Sequence, residues 1–207
     1  MPAYLEDAFS ADYTYTDDEK NIYRFYPENI GNLKIVNGQI IASDPFFSDY
    51  ISFISQFPVG QFPVELSILI FNDDERVAFS RIRFSDQKPV RWEMALAPDQ
   101  DLSKLKANEI YGYPVDSGTG CFMDSSATAV YSSYVNENDA NCDVIVKEME
   151  KTYKHTRSWL LWEKEDINVA LFSSGVGDGY YASFIGYDAK DSICRLVTDF
   201  GLLEWTE

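Results

Sequence analysis

The chain of 207 residues reads as mainly β (α+β): an antiparallel β-sandwich or a strongly bent sheet with one or two marginal helices. Two observations predict this class. Aromatics make up 15% of the sequence, with 14 Tyr and 14 Phe, and large rings suit pleated, half-buried surfaces. Short apolar runs alternate with turn-forming clusters along most of the chain.

The elements follow in order. Residues 1–30 read as an arm packed on the body, in which Asp12, Asp17, Asp18 and Glu19 alternate with Tyr13, Tyr15 and further aromatics. So many rings argue against a disordered tail. One β-rich domain is expected over residues 31–207. Leu33–Val36, Asn37-Gly38 and Gln39–Ala42 read as a hairpin, because Asn-Gly accepts the positive φ of a type I′ turn. Residues 46–57 carry a broad apolar stripe that predicts a short helix, and 58–63 an extended linker. Val64–Phe71 and Arg76–Phe84 read as strands around a polar turn, and Val90–Leu96 as a third, with Trp92 and Met94 on one face. Residues 98–107 are a polar connection. Thr128–Val135 reads as a strand, and 136–140 as a loop. A helix capped by Asp143 is expected to run to about Tyr153 or His155. Trp159–Trp162 and Ile167–Phe172 read as strands. Tyr180–Tyr187 and Ile193–Phe200 read as a hairpin around residues 188–191.

Asp and Glu number 34 against 17 Lys and Arg, a formal charge of −17. That disfavours nucleic-acid binding, which needs clustered cations, and draws cationic partners towards the surface. No stretch has the length and apolarity of a membrane span, and the first residues lack the pattern of a signal peptide, so a cytoplasmic protein is expected. Three cysteines without CxxC spacing predict reduced thiols rather than a disulfide framework or zinc knuckle.

Two glycine- and aspartate-rich segments interrupt the apolar runs: Val115-Asp-Ser-Gly-Thr-Gly-Cys-Phe-Met-Asp124 and Ser173-Ser-Gly-Val-Gly-Asp-Gly-Tyr-Tyr181. Glycine weakens a strand, so its density implies tight turns, bulges or close backbone approach. Asp116, Asp124 and Asp178 sit at these places. Asp116-Ser-Gly-Thr-Gly120 resembles the phosphate loop of actin-like and sugar-kinase ATPases, but that fold needs a duplicated domain and a second loop. A turn with Asp116 accepting backbone N–H bonds is the structural reading. Gly175-Val-Gly-Asp-Gly179 lacks the glycine spacing of a dinucleotide fingerprint and precedes a strand rather than a helix. His155, the only histidine, lies among Lys151, Lys154 and Arg157, where a helix C-terminus would favour positive charge. For catalysis it would have to meet Ser117, Ser173, Ser174 or Cys121.

The ordered set Gly38–Pro45, Phe57–Val64, Trp92–Ala95, Tyr113–Asp124, Ser174–Tyr180 and Asp199-Phe200 resembles the bacterial family catalogued as domain of unknown function 4241. The resemblance spans about residues 38 to 200. The family pattern often has Ala at the place of Ser117 and Trp at that of Val176. It implies a single domain and assigns no activity or catalytic residue.

Two functions are expected to compete. The first is an acidic protein-binding module, such as an immunity protein neutralising a basic toxin, binding through Asp12, Tyr13, Tyr15, Asp17, Asp18 and Glu19, with no cofactor, nucleic acid or membrane. The alternative is a hydrolase or cation- and ligand-binding domain. Asp116, Asp124 and Asp178, with Asp44, would then serve as general acid and base, or Asp116 and Asp178 would hold a divalent cation.

Overall fold

In the computed structural model, which describes residues 4–47, 49–106 and 109–203, the chain is sorted into four layers. Seven strands make one antiparallel sheet: β1 (Thr14–Thr16), β2 (Ile22–Ile35), β4 (Gly60–Phe71), β5 (Asp74–Arg83), β13 (Ile193–Asp199), β12 (Ser183–Tyr187) and β6 (Arg91–Met94), in that spatial order. A second sheet runs β3 (Ile40–Ser43), β8 (Thr119–Asp124), β10 (Ile167–Ser173) and β9 (Trp159–Lys164). A two-stranded ribbon of β7 (Tyr113–Val115) and β11 (Gly179–Tyr181) closes one end. The fold is mainly β, as the sequence predicts.

Alternation along the strands builds the core. Ile185 and Leu196 face the second sheet and share one buried cluster with its Ile40, Phe122 and Phe172 and with Leu33 of their own sheet. Their neighbours Phe184 and Val197 face the other way, where an uncovered apolar surface would be a liability. The N-terminal segment covers it. Helix α1 (Tyr4–Asp7) and the following turn bury Tyr4, Leu5, Ala8 and Phe9 against Phe25, Phe79 and Phe184. Glu6 on the same helix accepts two bonds from Arg195, from Nε and Nη2 at 3.0 Å each, and one from Arg81 at 3.1 Å. The far face of the second sheet is covered by α2 (Thr128–Glu137) and α3 (Asp139–Glu150), through Tyr131, Val135, Ile145 and Met149.

Five local expectations are corrected. Residues 33–42 are no hairpin: β2 pairs with β4 in the large sheet and β3 with β8 in the small one, so Asn37-Gly38 turns a corner between sheets. The backbone N–H groups of both residues donate to Asp124 Oδ2, each at 3.2 Å, which fixes the corner. The described residues of 46–57 form no helix and are joined to β3 by an Ile41–Ser52 bridge. The 58–63 linker runs into β4, which already begins at Gly60. Thr128–Val135 is helical, because Asp124 caps a 3₁₀ turn (Ser125–Ala127) that feeds α2 and Tyr131 and Val135 share its buried face. Asn138, rather than Asp143, caps α3, which ends at Glu150 and leaves His155 in the turn beyond it.

The β4–β5 and β12–β13 hairpins overlap the runs expected for them, except that Tyr180 and Tyr181 break off into the ribbon as part of β11. In the first, Ser67 pairs with Phe79 and Ile68 with Val77, so Ala78 bulges out of register.

Candidate functional site

That bulge anchors the pole of the sandwich where both glycine segments lie. The carbonyl of Val77 accepts from Gly175 N–H at 3.1 Å, and that of Ala78 from Phe200 N–H at 3.0 Å. The loop 174–178 closes on itself: Gly177 N–H donates to Ser174 O at 2.7 Å, and Ser174 Oγ and the Tyr181 hydroxyl donate to Gly177 O. The other loop lies against it. Ser174 N–H donates to Gly118 O at 3.1 Å, and β7 pairs with β11 in the register Val115 to Gly179.

Backbone conformation and local crowding account for the glycines. Gly118 has φ +66°, and a Cβ there would stand 3.6 Å from the Gly177 Cα. A Cβ on Gly175, at φ +51°, would lie 2.9 Å from the Phe200 carbonyl oxygen. Gly118, Gly175 and Gly177 all adopt positive φ, Gly175 also lies too close to Phe200 for a side chain, and Gly120 and Gly179 instead leave room for the side chains of Phe172, Tyr113 and Tyr181.

Asp44, at the end of β3, holds the first loop. It is 2% exposed, and its carboxylate accepts four bonds: Asp116 N–H (3.0 Å) and Ser117 N–H (2.8 Å) on Oδ2, Ser117 Oγ and Phe46 N–H (2.9 Å each) on Oδ1. Oriented amides thus compensate a buried charge. Asp124 does the same work at the other end of β8. It is 1% exposed, clamping the 37–38 corner with Oδ2 and capping the 3₁₀ turn with Oδ1.

The four aspartates therefore divide. Asp44 and Asp124 are buried turn clamps. Asp116 and Asp178 are exposed, one position beyond the Val115–Gly179 pair on either strand. They line different cavities. Asp116 borders one of about 390 Å³, with Asp44, Asp49, Phe47, Ile51 and Phe53 among its walls. Asp178 borders one of about 260 Å³ with Ile110, Val176 and Tyr180. Asp124 reaches neither. Among the described residues, no group of three or more His, Cys, Asp or Glu side chains is placed to hold a metal ion. Burial pushes the Cys121 thiol far above the ordinary range, opposite to what a nucleophile needs.

The acidic arm also divides. Tyr13 packs on Phe25 and Tyr15 on Tyr23, at ring separations of 5.5 and 6.1 Å. Asp17 accepts from Asn21 N–H (2.8 Å), Asn21 Nδ2 (2.9 Å) and the Tyr23 hydroxyl (3.1 Å), closing the β1–β2 turn. Those hydrogen bonds hold its carboxyl below the usual range. Asp12, Asp18 and Glu19 are exposed at the edge of the large sheet.

A charged centre that the sequence reading did not single out gathers at the start of β5. Glu75 accepts from Lys154 Nζ, from Arg157 Nε at 2.8 Å and from the Tyr26 hydroxyl at 2.7 Å, with His155 3.8 Å away. Burial raises its pKa, but those donors outweigh it and bring it down to about 2. His155 thus faces an ion cluster. The only sequence sign of this centre is the run of cations at 151–157.

A model of the family described as "Protein of unknown function (DUF4241)" matches residues 33–198, and the chain belongs to that family. No curated protein and no solved structure matches the chain.

Proposed function

We propose that this member of the DUF4241 family is a binding module for a cationic protein partner, as an immunity protein is for a basic toxin, working in the cytoplasm. The observation that carries the reading is how the charge of −17 is distributed. Of the 17 cations, several pair with the chain's own carboxylates: Arg81 and Arg195 with Glu6, Arg157 and Lys154 with Glu75, Arg76 with Asp74, Arg83 with Glu65, and Arg91 with Glu93 and Asp191. Exposed carboxylates at Asp12, Asp18, Glu19, Asp49, Asp116 and Asp178 are left to set the external field. Such a field speeds encounter with a positive partner and repels a negative one.

The hydrolase alternative has less behind it. Of its four aspartates, two are saturated by backbone donors and the other two open into different cavities.

The test is capture of a partner from the organism that encodes the chain, followed by affinity measurements at about 20 mM and about 500 mM salt. A partner with net positive charge, bound at least about tenfold more weakly at high salt, supports the reading. A neutral or acidic partner, or affinity indifferent to salt, overturns it.

A further inference from the structure

The cavity of about 390 Å³ beside the Asp44 clamp joins two kinds of wall, one apolar and one acidic. Phe53, Ala95, Ala97 and the Tyr113–Pro114 segment give it an apolar lining, and Phe47 and Ile51 stand at its walls 51% and 57% exposed. Isolated exposed apolar residues are ordinary, but two large ones beside a formed hollow mark a place where something packs. Three carboxylates, of Asp44, Asp49 and Asp116, complete the walls, and no Lys or Arg is among the described lining residues. The Asp44 oxygens are occupied by N–H and O–H donors, whereas Asp49 and Asp116 are exposed. The space therefore combines an apolar and aromatic interior with uncompensated negative charge at its edge. An alkyl stem ending in a planar cation satisfies both: methylenes pack on the apolar wall, and a guanidinium lies on aromatic faces and bridges carboxylates.

We propose that this cavity receives an arginine side chain of the cationic partner, the anchoring contact of the interface. The inference rests on the binding reading above and gives it an address. An arginine seated in a pocket is a common energetic centre of an interface, while the remaining acidic surface steers.

The test uses the intact chain and three capped tripeptides, acetyl-Gly-X-Gly-amide, with X arginine, lysine or the neutral isostere citrulline, followed by backbone amide NMR. The arginine peptide should bind saturably with a dissociation constant of about a millimolar. Its shifts should centre on Ile51, Phe53, Ala97, Gly112 and Asp116, with lysine weaker and citrulline at least about threefold weaker. Asp49→Asn with Asp116→Asn should weaken arginine binding about three- to tenfold. Ala97→Leu, which fills the hollow, should abolish it without altering the rest of the spectrum. Equal binding of lysine or citrulline, or shifts spread over the acidic arm, overturns the proposal. So does arginine binding that survives Ala97→Leu. If the peptides fail but a basic partner still binds in a salt-sensitive way, with affinity unchanged by the double substitution, the cavity assignment falls and the binding reading stands.

Discussion

Replacing Asp44 with Asn separates a structural aspartate from a chemical one. The wild-type carboxylate presents two acceptor oxygens to four donors, three of them backbone N–H groups. Asparagine keeps one oxygen and puts an NH2 group in place of the other. With that group on the Oδ1 side, the Ser117 hydroxyl can turn to accept from it, and Phe46 N–H alone loses its acceptor. In the opposite orientation, both the Asp116 and Ser117 N–H groups lose theirs. The first arrangement is cheaper and sets the cost: one buried donor unsatisfied, at about 1–3 kcal/mol, plus the weakening of the remaining bonds as the charge disappears. Together these give about 2–4 kcal/mol. With a urea slope of about 2 kcal/mol/M, the unfolding midpoint should drop by about 1–2 M at unchanged slope. Asp116→Asn and Asp178→Asn, both exposed, should stay within about 0.5 kcal/mol of wild type. An Asp44→Asn protein as stable as wild type would refute the clamp, and a large loss of stability in the other two would refute their placement.

Three further outcomes follow from the packing and ionisation. The Glu75 carboxyl has a folded pKa near 2 against an ordinary 4.5, so its contribution to stability is fully present above pH 4.5 and lost as pH falls from there towards 2. After allowance for screening by solvent this amounts to about 1–3 kcal/mol, and Glu75→Gln should flatten that part of the stability–pH curve; an unchanged curve contradicts the cluster. Leu5, fully buried under the large sheet, should cost about 2–4 kcal/mol when changed to Ala, lowering the melting temperature by about 2–4 °C per kcal/mol; a neutral result would mean the N-terminal helix is not part of the core. A thiol reagent should label the half-buried Cys142 in the native protein and reach Cys121 and Cys194, both buried, only on unfolding; equal rates for all three would contradict the packing.

The fold class was legible in the sequence wherever local pattern and tertiary environment agreed. The β4–β5 and β12–β13 hairpins join apolar runs through short polar turns, and nothing remote interferes. At Asn37-Gly38 the local turn signal was sound, but a distant carboxylate, Asp124, and strand partners in separate sheets decided where the chain went. Thr128–Val135 misled because Val130, Tyr131 and Val135 have the β-branched and aromatic character of a strand, while burial of Tyr131 and Val135 on one helical face outweighs that preference. A better signal was present: an aspartate followed by Ser-Ser-Ala is a helix-start pattern, and Asp124 serves as that cap. At the pole, glycine density correctly announced tight turns, since Gly118, Gly175 and Gly177 all have positive φ. That the two segments would lie side by side could not be read, because pairing between residues 64 to 68 positions apart leaves no local trace. Asp44 was harder still, since each of its functions depends on donors brought to it by the fold.

The account stands most directly on how association with the native partner responds to ionic strength. The rate constant for association, followed by stopped flow at about 20 mM and about 500 mM salt, should fall at least about tenfold while dissociation changes far less, as expected when an acidic surface steers a basic one. An association rate that does not depend on salt would contradict it.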